Sequence, residues 1–169
     1  KNLQKLILNE GKISDEGIAA ISSNTLWTNL QELRLNQNEI GDKGITSMVK
    51  NTSWKNLKIL RLSGNKITDL GTALIERCAH WRNLQVLELA ENQIGDKGAS
   101  ALGSNIAWND LIKLDLSGNK KIGDDSIAVI ANNIIWANLQ ELNLERNQIT
   151  DQGAIALGQS TIWKDLQKL

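Results

Sequence analysis

The stretch LQELRLNQNEIGDKG, Leu30 to Gly44, returns almost unchanged as LQVLELAENQIGDKG, Leu84 to Gly98. Within it Leu33 and Leu35 alternate with Glu32 and Arg34, the period of a strand with one buried and one open face. Leu6/Leu8, Leu60/Leu62, Leu87/Leu89, Leu114/Leu116 and Leu142/Leu144 repeat the alternation. The tryptophans supply the spacing. Trp27, Trp54, Trp81, Trp108, Trp136 and Trp163 follow one another at 27 residues, apart from one step of 28 across GNKKIGD, where Lys120 and Lys121 stand in place of a single residue. The template is W-x-[ND]-L-x-x-L-x-L-x-x-N-x-I-x-D-x-G, followed by about nine mostly small or apolar residues. Lys1 and Lys164 share a phase, so the chain ends partway through a seventh strand.

The composition is that of an ordinary soluble chain: 169 residues, 41% apolar and 22% charged. Nineteen basic side chains balance nineteen acidic ones, so no overall charge favours nucleic acid or an anionic membrane. No apolar run is long enough to cross a bilayer. The single cysteine, Cys78, excludes an internal disulfide and points to a reducing, cytoplasmic setting.

The strand motif L-x-x-L-x-L-x-x-N, in phase along the whole chain, resembles the leucine-rich repeat family. The repeat length and the trailing I-x-D-x-G resemble its ribonuclease-inhibitor-like class. The resemblance implies an α/β leucine-rich-repeat solenoid, a horseshoe arc with a parallel β-sheet on the concave face and α-helices on the convex face. Residues 1–169 are expected to form a single domain of six repeats plus the start of a seventh, cut from a longer chain. The resemblance also implies protein binding rather than catalysis.

Each recurring column has a structural reading. Asn38, Asn65, Asn92, Asn119 and Asn147 follow the strands and are expected to form a ladder that satisfies backbone groups at the turn. Gly11 replaces Asn in the first unit, which predicts a looser turn there. Asp15, Asp42, Asp69, Asp96, Asp124 and Asp151 precede helical stretches and are expected to act as their N-caps. No unit gathers enough oxygen or imidazole ligands for a metal, and no cofactor motif occurs. Gly17, Gly44, Gly71, Gly98 and Gly153, with Ser126 as the exception, let the layers approach. Asn24, Asn51, Asn105 and Asn133 suit left-handed helix ends, with Cys78 and Ser160 in the same column. The tryptophans read as core, without the interleaved cations of a nucleic-acid stacking surface. One histidine, His80, one cysteine and no tyrosine leave little acid–base apparatus, so no enzyme is expected.

Recognition is expected where the template varies freely, on the concave strand face. Its middle stripe carries Ile7, Arg34, Arg61, Glu88, Asp115 and Asn143, and the stripe beside it Lys5, Glu32, Ile59, Val86, Lys113 and Glu141. Ile59, Val86 and Ala90 form an apolar centre flanked by charges of opposite sign, the pattern of a protein or peptide interface. Lys120 and Lys121 mark a possible contact or a slip in repeat copying. Two rival uses are a GTPase regulator, because Ran GTPase-activating proteins resemble this repeat class, and an assembly module. In the latter, chains would stack head to tail through uncapped ends.

Overall fold

The computed structural model describes residues 2–169; Lys1 and its phase lie outside the described residues. Among the described residues six three-residue strands alternate with six α-helices, and one 3-10 turn spans Thr52–Trp54. The strands are β1 (Lys5–Ile7), β2 (Glu32–Arg34), β3 (Ile59–Arg61), β4 (Val86–Glu88), β5 (Lys113–Asp115) and β6 (Glu141–Asn143). The helices are α1 (Asp15–Ser22), α2 (Asp42–Lys50), α3 (Asp69–Glu76), α4 (Asp96–Gly103), α5 (Asp124–Ala131) and α6 (Asp151–Gln159). Every strand pairs in parallel with its sequence neighbour, and the register joins equivalent positions: Glu32 to Ile59 to Val86 to Lys113 to Glu141. A helical crossover makes that parallel order possible, and each helix packs on the next. The result is the α/β leucine-rich-repeat solenoid.

The leucine alternation and the helix-facing apolar column meet in one continuous core. Leu33, Leu60, Leu87, Leu114 and Leu142 are fully buried, as are Ile45, Met48, Ile75, Leu102 and Ile130 from the helices. Trp54, Trp81, Trp108 and Trp136 are also fully buried and seal the turn from each helix back to the next strand. Stacking a core of this kind favours the long, shape-filling indole over a smaller side chain.

Hydrogen bonds between coils explain the polar columns. The Asn92 amide donates to Leu62 O and Leu89 O, both at 3.0 Å, while its Oδ1 accepts from Ile67 N at 3.0 Å. Asn38, Asn65 and Asn119 make the same three kinds of bond. Asn147 donates to Leu116 O and Leu144 O, but its Oδ1 is buried and unpartnered. In the first coil Gly11 supplies no amide, while Ile13 N donates to Asn38 Oδ1 of the second coil at 3.0 Å as its counterparts do in the later coils.

The aspartates correct one expectation. The N-cap positions belong to Ser14, Gly41, Thr68, Gly95, Gly123 and Thr150, and each Asp is the first helical residue instead. The carboxylates of Asp15, Asp42, Asp69, Asp96 and Asp124 reach one coil onward. Asp69 Oδ1 accepts from Gly95 N at 2.6 Å and Gly98 N at 3.0 Å, so it caps α4 rather than α3. Asp15 serves Gly41 and Gly44, Asp42 serves Thr68 and Gly71, and Asp124 serves Thr150 and Gly153. Asp96 reaches Gly123. Asp151 has no such bond among the described residues. The glycine column follows from this. A Cβ at Gly71 would lie 2.4 Å from Asp42 Oδ1, and one at Gly153 2.5 Å from Asp124 Oδ1.

The second asparagine column differs too. Asn51 has φ −81°, and none of Asn24, Asn51, Asn105 or Asn133 is among the residues of positive φ. These side chains form a second inter-coil ladder. Asn133 donates to Gly103 O at 2.8 Å and Asn105 O at 2.9 Å, and accepts from Ile135 N at 2.8 Å. Cys78 interrupts that ladder, since a thiol cannot offer two amide donors. The left-handed residues lie elsewhere, just before the first ladder: Glu10, Gln37, Gly64, Glu91, Gly118 and Arg146.

Candidate functional site

The parallel register places the sequence-selected residues on one face, with Arg34 beside Arg61, Arg61 beside Glu88, and Glu88 beside Asp115. Two of them are not exposed as the alternation implies. Glu32 and Glu88 are only 5% and 6% accessible. Their neighbours' long cationic side chains cover them. Glu32 pairs with Lys5 at 2.6 Å and with Arg34. Glu88 pairs with Arg61 at 3.0 Å and Lys113 at 3.2 Å. Lys113 continues to Glu141 at 3.2 Å, and Glu141 to Lys168 at 3.0 Å. The alternating charges thus close on each other across the strands.

The ionisation of this network is set by burial against pairing. Desolvation works against the Glu32 carboxylate, but Lys5 and Arg34 outweigh it and hold it below the usual range. The bond from Lys168, joined by Lys113, holds Glu141 low despite burial. Burial opposes the Lys113 charge, yet Glu141 and Glu88 prevail and raise its pKa. Asp115 has no ion-pair partner among the described residues and accepts instead from the Ser117 hydroxyl at 2.7 Å.

Between the Lys5–Glu32–Arg34 cluster and the Arg61-to-Lys168 chain lie Ile59 and Val86, adjacent in register and half-buried. Ala90 continues the patch beyond Glu88 and is also half-buried. A shallow cavity of about 190 Å³ opens beside Ile59, bordered by Gln31, Lys58 and Gln85. Asn143 closes the middle stripe on β6, next to Asp115.

Two features escaped the reading of the concave stripes. Ile106 and Ile134 stand 80% and 73% exposed at the helix-to-strand turns. Their column otherwise holds Thr25, Thr52, Ala79 and Thr161, so two isoleucines there depart from the template in the same way as Ile59 and Val86. The other feature is a cavity of about 630 Å³ at the Lys120–Lys121 insertion, lined by Glu91, Ile94, Gly118, Lys120, Lys121 and Arg146 among others.

The Cys78 thiol lies 3.2 Å from His80 Nε2. Burial pushes the thiol up to about 11 and pushes the imidazole pKa down. Both groups are therefore neutral near pH 7, and the pair is not poised as a thiolate nucleophile. No helix among the described residues is long and apolar enough to cross a membrane.

Comparison with known proteins agrees with this architecture. A chain of the crystal structure of the Rad7 and Elc1 complex in yeast is similar at 25% identity and TM-score 0.71, over 92% of this chain and 40% of that one. An internalin (inlF) from Listeria monocytogenes shares the fold at 24% identity and TM-score 0.57, over 98% of this chain and 47% of that one. The chain thus spans less than half the length of either. No curated protein sequence matches it. The leucine-rich repeat profile matches residues 1–22, 28–49, 55–74, 80–103, 109–131 and 137–158, and with those matches tiling the chain, it belongs to the leucine-rich repeat family.

Proposed function

We propose that the chain is a non-catalytic scaffold that binds a protein or peptide on its concave sheet. The observation that carries this reading is the Ile59–Val86–Ala90 patch between two ion-paired clusters. Those side chains have no core to fill on that face, and covering them releases apolar surface from water. The surrounding charges are already paired, so they form a rim that fixes register more than a store of binding energy. Two cations share the one Glu32 carboxylate, and Arg61 lies beside Arg34, so the side toward β2 favours an acidic contact. Asp115 offers the opposite sign toward β5. Arg34, Arg61, Lys113, Glu141 and Asn143 complete the surface, with Glu32 and Glu88 anchoring the cations from beneath. The Rad7–Elc1 structure, named as a complex of proteins, supports assembly as a use of this fold.

The test is an affinity pull-down from cell extract using the native chain and an Ile59→Asp/Val86→Asp variant, after thermal melts show both folded. A partner held by the native chain and lost by the variant is expected. Equal capture by both would overturn the concave reading. The GTPase-regulator resemblance adds no residue to this face; accelerated GTP hydrolysis by a small GTPase would favour it over the scaffold. Mass that rises with protein concentration would favour head-to-tail assembly.

A further inference from the structure

The turn after β5 departs from those after β2, β3, β4 and β6, and its departure is costly. After β4, Gln93 N donates to Ile67 O of the preceding coil at 2.9 Å, and Lys66 and Gln148 do likewise in their coils. At the insertion Lys121 N turns back to Asn119 O at 2.7 Å, and Ile122 N follows it to the same oxygen at 3.0 Å. Ile122 N is the equivalent of Ile67 N, which donates to Asn92 Oδ1. Its diversion explains why Asn147 Oδ1 is left buried without a partner. The extra residue therefore gives up the bond from Ile122 N to the asparagine of the next coil, while Lys121 stays bridged to Gly95 of the coil before.

What replaces that bond is a cavity of about 630 Å³ whose rim carries Lys120, Lys121 and Arg146 against the single carboxylate of Glu91. None of these three cations has an ion-pair partner among the described residues. Glu91 is engaged by Gln37 Nε2, at 3.5 Å across Gly64. Gly118, at φ 69°, keeps the space between Glu91 and Arg146 free of a side chain. Arg146, at φ 57°, shares the left-handed conformation of Glu10, Gln37 and Glu91 at this turn position, where a side chain costs roughly 1–2 kcal/mol relative to glycine. A lost bond between coils and three unpaired cations meet at one cavity, the pattern of stability given up for a site.

We propose that this cavity receives an acidic peptide segment, one carboxylate entering among Lys120, Lys121 and Arg146. Charge-assisted bonds to carboxylate supply the recognition, and the cavity's size suits a few side chains rather than a flat contact. The cavity adjoins the concave face through Ala90–Glu91 and Glu145–Arg146, so a partner on that face reaches it. The inference rests on the scaffold reading only in taking the ligand to be a protein segment.

The test is fluorescence anisotropy with a labelled, end-blocked tetraglutamate peptide, using a tetralysine peptide and inorganic phosphate as competitors. Lys121→Glu and Arg146→Gly are each expected to weaken binding by about tenfold or more. Arg146→Gly should at the same time raise the melting temperature, which separates lost contact from lost fold. Deletion of Lys120 should weaken binding as strongly as Lys121→Glu, whereas Lys120→Gln, which removes the same charge and keeps the insertion, should weaken it much less. Equal effects of the deletion and Lys120→Gln would overturn the cavity in favour of diffuse charge. Displacement by phosphate at the peptide's own concentration would overturn the peptide assignment, leaving a small-anion site. The Ile59→Asp/Val86→Asp variant should bind tetraglutamate normally, so failure of the concave reading and failure of this one are distinct results.

Discussion

The turns after β4 and β5 come from one template and differ by one residue. The first is closed: Asn92 satisfies two carbonyls and one N–H, and Gln93 N ties it to the coil before. The second is open: two N–H groups crowd onto Asn119 O, and Asn147 Oδ1 goes without. The contrast teaches that a solenoid's stability resides in bonds between neighbouring coils. A single inserted residue is felt in the next coil as well as its own.

The largest expected effect comes from breaking the closed turn. Asn92→Ala leaves Ile67 N buried and unpaired and takes one of two amide donors from each of Leu62 O and Leu89 O, a loss on the order of 2–3 kcal/mol in urea unfolding. Asn147→Ala should cost clearly less, because its Oδ1 has no bond to lose; equal losses would contradict the comparison. Closing the open turn is the converse experiment. Deletion of Lys120 restores the 27-residue step and the bond from Ile122 N to Asn147 Oδ1, and should stabilise by about 1.5 kcal/mol. Cys78→Asn repairs the gap in the second ladder and should add about 1 kcal/mol, read by the same unfolding curves.

The smallest effect is electrostatic. Glu32 and Glu141 have lowered pKa values in the fold, so their contribution is complete above the ordinary value of about 4.3 and fades as pH falls below it. Lys113 is raised, so its contribution is complete below about 10.4 and fades as pH rises further. Buried His80 and Cys78 narrow the plateau, so melting temperature should be flat between about pH 6.5 and 8.5 and fall on both sides, and Glu32→Gln should soften the acidic fall.

The period of 27 made the fold legible, because leucine alternation and a helix-facing apolar column leave one way to bury both. The same columns identified the Asn92 ladder and the tryptophan core. Asp69 was misread because a cap is sought a few residues away along one chain, whereas stacking brings Gly95 and Gly98 closer. Glu32 and Glu88 were misread as open because alternation gives the face, not the neighbours that cover it. The Lys120–Lys121 step was visible as an irregularity, but the diverted N–H groups and the cavity exist only in three dimensions. Ile106 and Ile134 were within reach of the same column comparison that found Ile59 and Val86.

Those two isoleucines also define the sharpest test of the scaffold account. A photo-crosslinking residue placed at Ala90 on the concave patch should capture a discrete partner in cell extract, while the same residue at Ile106 should not. Capture at Ile106 with none at Ala90 would contradict the account and move recognition to the helix-to-strand turns.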